Sequence, residues 1–213
     1  MVIAIDGPAG SGKSTIARKI ASHLGWYFLN TGSFYRAYTF AHMEKGRDPL
    51  DRDSVLETAR ETEISVVDGN ISINGQSVED KLHTPMVDKY CSLVSSDPRL
   101  REIVTEEVRI LAGKMNIVTE GRDTTTVIFP EAEFKFYFDA SPEVRAMRRL
   151  KEQPDLDYDE VLKGIMARDK NDREKPVGAL KIAENAIYLD TTNLTIEAVC
   201  EKVYDAMQKH KAW

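Results

Sequence analysis

The sequence predicts an α/β protein: a central parallel sheet with helices on both faces, interrupted by a small α+β insertion. Three observations carry that reading. The chain opens on an apolar run, a glycine-rich loop and an amphipathic stretch; the same alternation returns after Gly113; and hairpin signals lie between the two. Strand, loop and helix in that order start a parallel sheet, because parallel neighbours need a crossover long enough to hold a helix.

Val2-Ile3-Ala4-Ile5 reads as a buried strand bounded by Asp6 and Gly7. A helix follows from about Lys13, with Ile16, Ile20 and Leu24 on one face and Gly25 as its stop. A second strand ends before Thr31. Residues 51–62 look helical, and then Ile64-Ser65-Val66 and Ile71-Ser72-Ile73 alternate apolar and polar side chains. The pairs Asp68-Gly69 and Asn74-Gly75 flank the second run, which is the mark of a hairpin. An antiparallel patch inside a parallel protein is most simply an insertion, here at about residues 34–97.

Asp97-Pro98 then supplies a cap and a first-turn proline for a helix carrying Leu100, Ile103, Val104 and Leu111. Strands are expected at 116–119, 134–138 and 186–189. Ser141-Pro142-Glu143 opens a helix to about Glu152, and Thr195 caps the last one. That last helix places Ile196, Val199, Cys200, Val203 and Met207 on one stripe, so Cys200 reads as a small core hydrophobe.

Composition excludes several classes. The 213 residues carry a formal net charge of −6, with 42% hydrophobic and 30% charged side chains. An acidic chain without a block of like charges is a poor partner for nucleic-acid polymers or acidic membranes. With two cysteines there is no disulfide framework, which favours a reducing, cytoplasmic setting. No apolar run approaches the roughly 18 residues that a membrane span needs. The expected form is a monomer.

The segment Gly7-Pro8-Ala9-Gly10-Ser11-Gly12-Lys13-Ser14, continuing into Thr15, fits G-x-x-x-x-G-K-[ST] without a mismatch. Its glycines let successive N–H groups converge on phosphate oxygens, and the following helix adds its positive end. Lys13 can reach the β- and γ-phosphates, and the Ser14 hydroxyl is placed for Mg²⁺. The chain is therefore expected to bind ATP or a similar triphosphate. It lacks the N-K-x-D segment with which a GTPase reads guanine. A short chain with an insertion and scattered arginines points instead to phosphoryl transfer onto a small acceptor.

Such transfer asks the protein to neutralise two anions together, and arginine forks suit phosphate oxygens. Arg36 and Arg122 each lie just past a predicted strand, where α/β proteins place ligands, and read as phosphate contacts. Glu120 ends the apolar run Ile117-Val118, the place of a metal-side acid. Arg99, Arg145 and Arg149 read as solvated charges on helix faces.

At these residues the chain resembles the bacterial cytidylate kinases, P-loop nucleoside monophosphate kinases. The similarity is carried by residues 3–15, by Leu29-Asn30-Thr31-Gly32-Ser33-Phe34-Tyr35-Arg36 and by the run from Gly121-Arg122-Asp123 to Pro130. Arg168-Asp169 with Asp172, and Tyr188-Leu189-Asp190-Thr191-Thr192, extend it to nearly the whole chain. The resemblance implies a three-layer P-loop fold and transfer of the γ-phosphoryl of ATP, with Mg²⁺, to CMP or dCMP. It implies one domain with an acceptor-binding insertion at about 34–97 and a mobile lid at about 149–167. Thr31, Tyr35 and Arg36 match acceptor-site positions; Ser92, Arg101 and Asp123 match those that recognise cytosine. Arg122 matches an acceptor-phosphate contact, Arg168 and Asp172 positions near the CMP ribose and the reaction centre, and Arg148 a lid-flanking arginine near ATP. Lys175 stands where the family usually has Arg, Asn30 and Glu120 where it has Asp, and Thr125 where it has Gly. Within the residues themselves, UMP or AMP as acceptor and a nucleotide-sensing protein without turnover stay open.

Overall fold

The computed structural model describes residues 1–67 and 70–211, with side chains through residue 209. In chain order the strands are β1 (Val2–Asp6), β2 (Tyr27–Asn30), β3 (Ile64–Val67), β4 (Asn70–Ile73), β5 (Gln76–Ser77), β6 (Ile117–Gly121), β7 (Phe134–Asp139) and β8 (Ile187–Asp190). The α-helices are α1 (Lys13–Leu24), α2 (Thr31–Glu44), α3 (Arg52–Arg60), α4 (Pro85–Val94), α5 (Pro98–Ala112), α6 (Pro142–Glu152), α7 (Tyr158–Glu174) and α8 (Ile196–Lys211). The chain divides into two compact units, Met1–Phe28 with Met115–Trp213, and Leu29–Lys114.

The first unit is built on a parallel five-stranded sheet in the order β2-β6-β1-β7-β8, with helices around it. β1 sits at the centre, paired in parallel with both β6 and β7. Strand alternation explains the core. Ile3 and Ile5 of β1 and Phe134, Phe136 and Phe138 of β7 join Ile16 and Ile20 of α1 and Val199, Val203 and Met207 of α8 in one buried cluster. Burying a side chain of this size stabilises by roughly 1.5–3 kcal/mol, so this cluster holds the sheet. Cys200 belongs to it, as the helical stripe predicts. Ile196 does not: it is 42% exposed, because it occupies the first turn of α8 and the buried stripe begins one turn later.

The Leu29–Lys114 unit gathers α2 to α5 around a small antiparallel sheet, β3-β4-β5. The expected hairpin strands are present; the Asp68-Gly69 pair lies outside the described residues. The Asn74-Gly75 turn puts both residues at positive φ, 50° and 80°, and adds the short β5, which the alternation did not reveal. Side chains cap helices where the sequence predicts, Asp97 accepting from Arg99 N and Ser141 from Val144 N; Asp51, read as the first helical residue, instead caps α3 by accepting from Ser54 N. In α5, Leu100 and Val104 are buried as expected, with Val108 completing the stripe in place of Leu111.

Candidate active site

The loop between β1 and α1 has the backbone the motif requires. Gly7 has φ 150°, and a Cβ there would lie 2.0 Å from the Phe138 carbonyl oxygen, so only glycine fits. Gly10 has φ 77°, and its Cα lies against the Arg145 side chain, with 3.2 Å left for a Cβ.

Four consecutive carbonyls of this loop accept hydrogen bonds from side chains. Pro8 O accepts from Lys13 Nζ at 2.7 Å, Ala9 O from Arg145 at 3.1 Å, Gly10 O from Arg148 at 3.4 Å and Ser11 O from the Thr191 hydroxyl at 3.0 Å. With each of these C=O groups held by a partner, and Ser11 N bonded to Pro8 O at 3.4 Å, the remaining N–H groups are left to meet an anion. The loop is preorganised, and the residues that hold it come from α1, α6 and the turn after β8.

Lys13 is buried, which pulls its ammonium down to about 7; Arg122 nearby adds to this, while Glu120 and Asp6 oppose it. A bound polyphosphate would reverse that depression. The Ser14 hydroxyl donates to Glu120 Oε1 at 2.8 Å, so the expected metal-side oxygens lie together at the ends of α1 and β6. Thr15 is exposed on the first turn of α1.

Past β6, Arg122 Nε donates to Asp172 Oδ2 at 2.7 Å, and Lys175 lies 3.6 Å from the other oxygen of the same carboxylate. Burial opposes the charges of both Arg122 and Asp172, but their mutual attraction prevails. The guanidinium is held above its ordinary range and the carboxyl below. Arg168, one turn before Asp172, is exposed and adds to the field on both Lys13 and Asp172. Asp123 is buried. Arg122, Asp172 and Lys175 thus form one cluster beside the phosphate loop's own cations.

The Leu29–Lys114 unit holds a second set. Asn30 caps α2 by accepting from Gly32 N at 2.8 Å, which a carboxylate or an amide oxygen does equally well. On α2, Thr31 and Tyr35 are buried, and the Arg101 guanidinium lies 5.1 Å from the centre of the Tyr35 ring. Arg101 also donates to Ser95 O. Arg36 meets Asp88 of α4 through Nε and Nη2, at 3.1 and 3.0 Å. Ser92 is exposed, one turn further along α4.

Two structural elements escaped the sequence. Arg145, expected as a solvated charge, is 1% exposed. It donates to Ala140 O and Ala9 O and makes a two-pronged pair with Asp169 of α7, at 2.9 and 2.5 Å. Nothing in α6 alone signals this, since its partner is 24 residues away; Arg149, at 51% exposure, shows the solvated behaviour expected of both. Arg99 is exposed as expected, bonding the exposed Asp53 and also the buried Asp97. The other element is Asp6, fully buried at the end of β1, which accepts from Thr124 N, Thr125 N and the Thr125 hydroxyl. A carboxylate closing a buried strand is its one trace in the sequence.

Comparison with known proteins agrees with this geometry. A protein described as cytidylate kinase from Caldanaerobacter subterraneus is 41% identical over 212 residues, covering 98% of this chain and 95% of that one. Another from Rhodopirellula baltica is 40% identical, covering 95% and 90%. A gluconokinase structure from Sinorhizobium meliloti shares the fold, with a TM-score of 0.50 at 14% identity over 99% of this chain and 94% of that one. Residues 3–209 match the family model described as Cytidylate kinase, and the chain belongs to that family.

Proposed function

We propose that the protein moves the γ-phosphoryl group of ATP to CMP or dCMP, giving ADP and CDP or dCDP. The observation that carries the donor half is the phosphate loop whose four carbonyls are held by side chains. ATP would bind along residues 7–15, with Lys13 against its outer phosphates. Arg148, already bonded to the loop at Gly10, would lie beside it.

For the acceptor, Arg36 and Arg122 would meet the CMP phosphate. Ser92, Arg101 and Asp123 would read cytosine, whose amino group needs an acceptor such as a carboxylate. Thr31 and Tyr35 would shape that site, and Arg168, Asp172 and Lys175 would serve the ribose and the transferred charge. The acceptor oxygen belongs to an ionised phosphate, so no general base is required. Catalysis is then positioning plus electrostatic stabilisation. A lid at about 149–167 closing over the nucleotide would exclude water, so that ATP is transferred and not hydrolysed.

The donor set fits Mg²⁺. Among the described residues no three His, Cys, Asp or Glu side chains cluster as a metal cage, while Ser14 and Glu120 offer adjacent oxygens. That suits an ion that keeps several waters and takes one or two protein oxygens besides phosphates. Bound there, it would neutralise charge on the donor phosphates.

We read the chain as one kinase domain with an acceptor-binding insertion at about 34–97, acting as a cytoplasmic monomer on small molecules only. No described helix is long and apolar enough to cross a membrane. A steady-state assay of ADP release across a panel of monophosphates tests the assignment. CMP and dCMP should lead; a preference for AMP or UMP overturns the cytosine reading. ADP release independent of any acceptor overturns the transfer itself.

A further inference from the structure

Asp6 has no part in the nucleotide contacts proposed above, yet it is fully buried and bonded to the segment that follows Arg122 and Asp123. Its Oδ1 accepts from Thr124 N at 2.9 Å; its Oδ2 accepts from Thr125 N at 2.7 Å and from the Thr125 hydroxyl at 2.6 Å. Two of these partners are backbone N–H groups, which can only donate and so favour the ionised carboxylate, while burial, helped by the like charge of Asp123, holds its pKa above the ordinary value. A group this costly to bury needs a reason beyond filling space.

Its position supplies one. Asp6 is the last residue of β1 and is immediately followed by Gly7 of the phosphate loop. Its register partner on β6 is Gly121, the residue before Arg122 and Asp123. The turn after Asp123 is a single wide helical turn, Thr124–Ile128, in which the Asp123 carbonyl accepts from Val127 N at 2.8 Å and Ile128 N at 3.2 Å. The Asp6 carboxylate grips the first two N–H groups of that turn. One side chain therefore couples the start of the phosphate loop to the turn that anchors Arg122 and Asp123.

We infer that Asp6 is a positioning residue for the acceptor: through Thr124 and Thr125 it sets where Arg122 and Asp123 stand. The inference rests on the reading that those two residues bind the acceptor nucleotide. Its arm on Thr125 is a hydroxyl bond that a single substitution can remove and restore. Thr125→Val deletes the donor at nearly constant shape, and Thr125→Ser keeps it.

The test is initial-rate kinetics of the parent, Asp6→Asn, Thr125→Val and Thr125→Ser, with ATP and acceptor varied separately and a thermal melt of each. Asp6→Asn sets an amide donor against backbone donors. It should lower kcat/KM for the acceptor on the order of 10²-fold, the scale of a misplacement of about 1 Å, with a smaller loss toward ATP, because Asp6 also helps to keep Lys13 charged. Thr125→Val should raise the acceptor KM by a smaller factor and weaken discrimination between CMP and UMP; Thr125→Ser should restore both. If Asp6→Asn does not fold, the Thr125 pair decides. Equal losses toward ATP and acceptor, or a lower melting temperature with parental acceptor KM and discrimination, overturn the inference. A parent enzyme that prefers AMP overturns the cytosine reading instead, and Asp6 is then judged on the KM for AMP.

Discussion

The two compact units carry their charge in different ways. In the unit around the phosphate loop, two ion pairs are withdrawn from water, Arg145–Asp169 at 1% and 8% exposure and Arg122–Asp172 at 19% and 15%, while Lys19–Glu197 and Arg149–Glu152 lie open. In the Leu29–Lys114 unit they are open: Arg36–Asp88 is 17% and 44% exposed, and Arg99–Asp53 52% and 82%. Buried pairs hold a geometry because losing one partner strands the other charge; exposed pairs exchange with water at little cost. Arg145 is held by a pair withdrawn from water, while Arg36 is held by a bond to an exposed carboxylate that, on the reading proposed above, a phosphate would replace.

The sharpest way to break that contrast is Lys13→Ala. It removes the buried ammonium from the loop and should lower kcat on the order of 10²-fold or more, by the scale of a single preorganised electrostatic donor. Arg145→Met comes next, read in stability. Stranding Asp169 should cost about 3–5 kcal/mol in denaturant unfolding, and the double variant Arg145→Met with Asp169→Leu should recover much of it. Arg36→Ala should leave the melting temperature near the parent's yet raise KM for CMP by about tenfold or more, the worth of one charged hydrogen bond. A large loss of stability there would erase the difference between the units.

A pH profile sharpens the donor side. Lys13 titrates near 7 in the free protein, so its charge is present below that pH and lost above it. kcat/KM for ATP should therefore fall as pH rises through about 7. kcat should hold to higher pH, because bound polyphosphate favours the charged form. The smallest kinetic effect is expected for Arg99→Ala, with kcat and KM close to the parent's and a modest loss of melting temperature, because it bonds the buried Asp97.

What the sequence made legible follows the same division. The phosphate loop is local: glycine spacing, strand before and helix after are written in consecutive residues, and the structure places the loop between β1 and α1. Helix caps are local too, so Asp97 and Ser141 were readable. The Asp6 grip spans over a hundred positions and the Arg145–Asp169 pair joins two helices, and periodicity carries no information about such partners. Arg145 shares its spacing with Arg148 and Arg149, and only tertiary packing sorts the buried one from the exposed one. Ile196 failed for a related reason: a stripe says which face is apolar, not where the neighbouring surface begins.

Transfer itself is tested most directly by following γ-labelled ATP in a single turnover with CMP, for the parent and for Arg122→Ala. The label should appear in CDP, and the variant should transfer it on the order of 10²-fold more slowly. Label released as inorganic phosphate, or transfer by Arg122→Ala at the parent rate, would contradict the account.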